Sequence, residues 1–190
     1  MRVNIKFNVK KIPVIIQPTS EVDEGLMEEI IEEMKKLKTF KITMAMKRLQ
    51  IGDEGYNPER RQHHAPTILR KICTTTAETQ IKTLGITTLD LYDLGLNYVF
   101  GEAQFNGRCA IISIHRLRPE YYGGEEDKRL LLERINKEAA HELGHTLGLR
   151  HCPNIRCVMH FSNSIYDTDI KDYRYCERCR AKLEKIISRE

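Results

Sequence analysis

The segment HELGHTLGLRHC (141–152) sets His141 and His145 four residues apart, puts Glu142 directly after the first, and adds His151 ten residues beyond it. On a helix, four residues rise ~6 Å and turn about 400°. His141 and His145 therefore project from one face and can reach one Zn²⁺ at ~2.0–2.1 Å. Glu142 falls beside that pair and off the metal, where its carboxylate can take a proton from water activated there. Three protein ligands leave a coordination position open, as in catalytic rather than structural zinc sites. A shuffled chain of this composition holds the short His-Glu-x-x-His pattern on the order of one time in forty, and the pattern with Gly148 and His151 roughly one time in twenty thousand. The longer pattern thus outweighs the alternative of ordinary polar residues on a solvated helix face.

To bring His151 back to the same metal, the helix must stop soon after His145. Gly148 can adopt the left-handed conformation that such a stop requires. Upstream, Glu125, Glu126 and Asp127 are expected to open this long helix, and Leu132, Ile135, Ala139, Leu143 and Leu147 to form its buried stripe. Residues 12–17 read as a first strand. Ser20 with Asp23 resembles a capping box ahead of a helix bearing Leu26, Met27, Ile30, Ile31, Met34 and Leu37 at helical spacing. Residues 39–46 read as a second strand, 52–66 as loop, 66–73 as a short helix and 82–91 as a third strand running into a turn. Asn106-Gly107 between apolar runs predicts a two-residue type I′ hairpin. The tail after the zinc helix reads as irregular.

Cys152-x4-Cys157 and Cys176-x2-Cys179 are two close pairs with near zinc-ribbon spacing. Together they point to a second, closed and structural zinc site that ties the tail to the end of the zinc helix. Two disulfides or four buried thiols are the competing reading. Because Cys152 adjoins His151, spacing alone leaves open which of the two serves which metal. Cys73 and Cys109 read as buried small thiols.

HELGHTLGLRH matches the extended zinc-binding signature of the metzincin metallopeptidases. With Cys152, Cys157, Met159 in CVMHFSNS, and the CERC pair, residues 138–179 resemble one branch of that clan, the archaemetzincins. YNPERRQ (56–62) and NYVFGEAQF (97–105) resemble it more loosely. The resemblance implies that His141, His145 and His151 hold a catalytic zinc, with Glu142 as general base and acid. It assigns Cys152, Cys157, Cys176 and Cys179 to a structural zinc, and Met159 to a turn beneath the histidines. It also implies an α+β metzincin-like fold: a mixed twisted sheet with an antiparallel edge strand, backed by helices, the active-site helix beneath it and an irregular zinc-tied C-terminal subdomain. A single domain, 1–190, is expected, with 1–148 as upper lobe and 149–190 as lower lobe.

The 190 residues carry a net charge of +4 and no tryptophan. No stretch concentrates Lys and Arg with aromatics, so a nucleic-acid groove is not expected. The N-terminal apolar run is too short for a signal segment, and nothing approaches the ~18 apolar residues of a membrane span. A cytoplasmic monomer acting on peptide or protein substrates, with two Zn²⁺ per chain, is the expectation. Two rivals stand beside it: a zinc-stabilised binding module without turnover, which would leave Glu142 without a task, and a metal-dependent amidase for small molecules.

Overall fold

Apolar, β-branched runs build the frame that carries the histidines. In a computed structural model, which describes residues 11–76 and 81–188, Ile12–Pro18 forms β1, Glu24–Met34 forms α1 and Phe40–Met44 forms β2. The N-terminal segment read as too short for a leader lies mostly outside the described residues. β1 and β2 pair in parallel, Ile12 against Phe40, with α1 as the crossover. α1 buries Met27, Ile30 and Met34 at helical spacing. Its cap is Asp23, which accepts a hydrogen bond from the Leu26 N–H at 2.9 Å. Ser20 does not cap the helix, because its own N–H donates to the Leu49 carbonyl and fixes it one turn too early.

Residues 52–66, read as loop, contain a hairpin of β3 (Tyr56–Asn57) and β4 (Gln62–His64). Strands this short carry no readable period of two. Helix α2 (Ala65–Thr74), β5 (Lys82–Thr87), β6 (Leu91–Tyr92), β7 (Gly101–Ala103) and β8 (Cys109–Ser113) follow. The main sheet runs β2-β1-β5-β8-β7, parallel except for β7, and β3-β4-β6 form a smaller one. β8 is buried on both faces, as expected for an interior strand of a sheet covered by helices on each side. Ala110 and Ile112 face one core, which holds the apolar side of α1. Cys109 and Ile111 face a second core under α2.

Two expectations fail here. Cys73 and Cys109 are not separate thiols but a disulfide, with Cα atoms 5.7 Å apart. Packing α2 on the Cys109 face of β8 brings together residues that no spacing rule connects. The Asn106-Gly107 turn is not a two-residue type I′ loop either: Gln104 N–H donates to Cys109 O, so Phe105 to Arg108 make a four-residue loop in which Asn106 has positive φ and Gly107 does not. Tertiary bonds hold that shape. Asn106 N–H donates to the His145 carbonyl at 2.9 Å, and Lys82 Nζ donates to Gly107 O and Thr146 O.

Helix α3 (Lys128–Thr146) starts later than its acidic run, with Asp127 as cap (Leu130 N–H to its carboxylate, 2.9 Å) and Glu125 and Glu126 ahead of it. From Arg134 to Gly144 it is buried on every side, rather than along one stripe. The tail is less irregular than its composition suggests. It contains α4 (Ile165–Ile170) and α5 (Glu177–Ile187), whose Cys179 and Leu183 sit at i, i+4 and pack inward. No helix among the described residues is long and apolar enough to cross a membrane.

Candidate metal centre

α3 delivers His141 and His145 one turn apart, and its termination delivers His151. The helix ends in a Schellman motif: Leu149 N–H donates to Gly144 O and Gly148 N–H to His145 O, with Gly148 at φ 81°. A side chain at Gly148 would face that strained φ, so the glycine sets where the chain turns. The ring atoms His141 Nε2 and His145 Nε2 stand 3.1 Å apart. Two ligands on one tetrahedral zinc at ~2.0–2.1 Å stand about 3.3 Å apart. The ligand atoms of His141, His145 and His151 all lie within 4.8 Å of one another.

Hydrogen bonds behind the rings set their tautomers. His141 Nδ1 donates to Val158 O at 2.7 Å and His145 Nδ1 to Leu149 O at 2.8 Å, which leaves both Nε2 lone pairs for a metal. Burial first, then nearby Lys171, holds His141 well below the usual imidazole range. Burial is also the main cause that lowers His145 and His151. All three are thus neutral ligands in waiting. His151 is the exposed member, with Phe161 against it at 5.0 Å between ring centroids. Burial, and next the carboxylate of Glu138, raises Glu142 well above the ordinary carboxyl range. That is the direction a general base and acid near neutral pH requires.

The four predicted thiols also converge. Sγ atoms of Cys152, Cys157, Cys176 and Cys179 all lie within 4.8 Å of one another, and Cys152 Sγ is 3.8 Å from Cys176 Sγ. Thiolates on one tetrahedral zinc at ~2.3 Å stand about 3.8 Å apart. None of the four is disulfide-bonded. Burial pushes the Cys157 and Cys179 thiols up, so a bound cation is what would favour their thiolate forms. Cys152 N–H donates to Met159 O, which binds the cluster to the turn under the histidines. His160 faces Cys152 O through Nδ1 and stands outside the histidine trio.

Met159 lies beneath the histidines as the resemblance implied, but the neighbours it packs with, Gly144 and Tyr175, escaped the sequence reading: a Cβ at Gly144 would run into the Met159 sulfur and meet Tyr175 at 3.2 Å. Tyr175 OH donates to Ala140 O at 2.7 Å. A glycine inside a helix, at a cost of ~1 kcal/mol against alanine, was the available signal; Tyr175 had none. Gly144→Ala is expected to cost about 1–3 kcal/mol by overpacking and to weaken metal retention at the histidines. Chemical denaturation and competitive zinc titration measure the two effects. Below the site, Lys171 is fully buried and pairs with Glu138 at 2.8 Å, and Thr168 donates to the same carboxylate. Above it, the YNPERRQ segment braces the cleft rim: Arg60 donates to Leu96 O and Asn97 O, Gln62 to Asn97 O and Asp90, and Arg116 chelates Asp90.

The cleft between β7, the 93–99 loop and α3 has a volume of about 480 Å³ and is lined by all three histidines, Glu142, Glu138 and Glu102. Its roof is the antiparallel edge strand that the resemblance implied. A helix carrying two of three converging imidazoles beneath such an edge places the chain in the metzincin-like class, as its match to solved structures shows. Within that class the family is specific. The family model described as Peptidase family M54 matches residues 14–185, and the chain belongs to that family. An archaemetzincin of Methanocaldococcus jannaschii is 43% identical over 90% of this chain and 92% of its own length. One of Pyrococcus abyssi is 60% identical over 106 residues, a match that spans 56% of each protein and so only about half of that relative. The crystal structure of a zinc-dependent peptidase from Methanocorpusculum labreanum superposes with a TM-score of 0.81, at 30% identity, over 90% of this chain and 99% of that one.

Proposed function

We propose that this chain is a zinc-dependent metallopeptidase with His141, His145 and His151 as ligands of the catalytic metal and Glu142 as the acid–base group. The observation that carries this reading is the convergence of three neutral imidazoles beside a buried carboxylate, in a cleft roofed by a sheet edge. Bound zinc supplies Lewis acidity, lowering the pKa of water to ~7 and polarising a carbonyl. Glu142 removes the proton of the attacking water and passes it to the departing amine. The backbone of β7 holds an extended peptide by strand addition, which fixes the scissile bond without demanding much sequence. Val158 O and Leu149 O keep the imidazoles oriented throughout.

A structural zinc on Cys152, Cys157, Cys176 and Cys179 ties the lower lobe, 149–190, to an upper lobe, 1–148. The protein acts as a cytosolic monomer on peptides. The Cys73–Cys109 disulfide sets a condition on that location, since disulfides persist inside cells chiefly in hyperthermophiles. The free sheet edge favours peptides over small amides, because a small amide makes no use of it.

The test is hydrolysis by zinc-loaded protein of peptides of graded length, beside small amides, before and after a mild chelator. The expected result is two zinc ions per chain, cleavage of peptides only, and loss of turnover with one ion while the fold persists. Cleavage of small amides alone would make the protein an amidase. A single ion released only on unfolding would overturn the two-site assignment.

A further inference from the structure

The cleft wall contains a carboxylate with no part in the reaction above. Glu102 is the middle residue of β7, and its Oε2 is buried with no hydrogen-bond partner among the described residues. Burial first, then Asp93, pushes its pKa up to about 7, and Arg70 offsets this only in part. That is how a carboxylate without a counter-ion behaves. The other carboxylates lining the cleft are occupied: Glu138 by Lys171, Asp93 by the Leu94 N–H at 2.7 Å, and Glu142 by its proposed proton transfer. The described lining residues include no Lys or Arg.

The sheet register says what reaches Glu102. Ser113 N–H donates to Phe100 O and Gln104 N–H to Cys109 O, so alternation makes Glu102–Ile111 the hydrogen-bonded pair between them. The N–H and C=O groups of Gly101 and Ala103 then point outward, to the open side of the edge. A peptide added in antiparallel sense bonds to those two residues. Its residue across from Glu102 forms a non-hydrogen-bonded pair, in which Cα atoms stand ~4.5 Å apart and side chains approach most closely. That side chain lies on the face of Ile111, which packs toward α2. Gly101 lies on the opposite face, and a Cβ there would meet Glu142 at 2.7 Å. The Glu102 position is thus separate from the reacting centre yet in register with it.

We propose that Glu102 forms a subsite for a basic side chain, Lys or Arg, on the peptide residue that pairs across from it along β7. The assignment rests on the peptidase reading for its biological meaning, so the test separates the two. Zinc-loaded protein is titrated calorimetrically with peptide hydroxamates in which each position in turn is Lys or norleucine, and matching peptides are assayed for hydrolysis. At one position the Lys ligand should bind about tenfold more tightly than its norleucine twin, the scale of a hydrogen bond to a charged group. Glu102→Gln should bring that ratio near one, and Glu102→Lys should take it below one.

Equal binding of the twins by the wild type at every position overturns the subsite, whatever the variants do. An unchanged ratio in Glu102→Gln overturns it as well. Hydrolysis without the ratio removes the subsite and leaves the peptidase. The ratio without hydrolysis keeps the subsite and removes the peptidase reading.

Discussion

Glu142→Ala is expected to lose turnover by ~10²–10⁴-fold, the usual worth of positioned general acid–base assistance, while keeping both zinc ions and the fold. The glutamate lies outside the converging trio of imidazoles, so metal content is expected to survive its loss. Burial of its carboxyl is only partly offset by Lys171, so the alanine variant is expected to lose little stability. His145→Ala provides the contrast: it should release the catalytic zinc as well. Zinc content per chain, thermal melting and peptide turnover are measured together. A Glu142→Ala protein that lost metal would make the glutamate a ligand. One that kept metal and full activity would move the reading to a binding module without turnover.

Cys176→Ser should act on folding before it acts on chemistry. Cys176 is the N-cap of α5 and lies 3.8 Å from Cys152, which adjoins the third histidine and is bonded through its backbone to Met159. Apparent zinc-binding energies at structural thiolate sites are about 10–16 kcal/mol, and that energy is folding energy. Removing one thiolate is expected to cost at least about 3 kcal/mol, or roughly 6–12 °C in melting temperature for a chain of this size. Zinc content should fall by one ion. Unchanged melting with unchanged zinc content would remove Cys176 from the ligand set.

The order of these two effects follows from the way the tail is built. α4 and α5 are short, and the residues between them make few regular backbone ladders. The thiol cluster therefore ties the Met159 turn, and with it the support under Gly144, to α5. The two metals are expected to be coupled in one direction: loss of the cysteine zinc loosens the histidine site, whereas loss of the histidine zinc leaves the cluster intact.

The placement of the candidate ligands was legible in the sequence because it is local. His141, Glu142 and His145 follow from a helical period of 3.6, Gly148 from the need for a left-handed stop, and the cysteine pairs from ligand spacing. The strands read over 12–17 and 39–46, found at Ile12–Pro18 and Phe40–Met44, followed from apolar runs, and the apolar face of α1 from periodicity. The structure brings together all three histidines and all four cysteines that were singled out.

What only the tertiary structure decided are contacts between residues distant in sequence. The Cys73–Cys109 disulfide depends on which face of β8 receives α2. The four-residue loop at Phe105–Arg108 depends on the His145 carbonyl, which outweighs the local Asn-Gly preference. Lys171 beneath Glu138, Tyr175 on Ala140 and Arg60 on the cleft rim each join segments by more than thirty residues of chain. Ser20 lost its cap role to a backbone hydrogen bond with the Leu49 carbonyl, beside the Thr19–Leu49 bridge. Glu102 gained its role from an edge register that no spacing rule encodes. A short-range pattern can specify metal ligands because the helix itself sets their geometry. The surroundings that tune them come from packing, where the partner of each group is chosen by the fold and not by its neighbours in sequence.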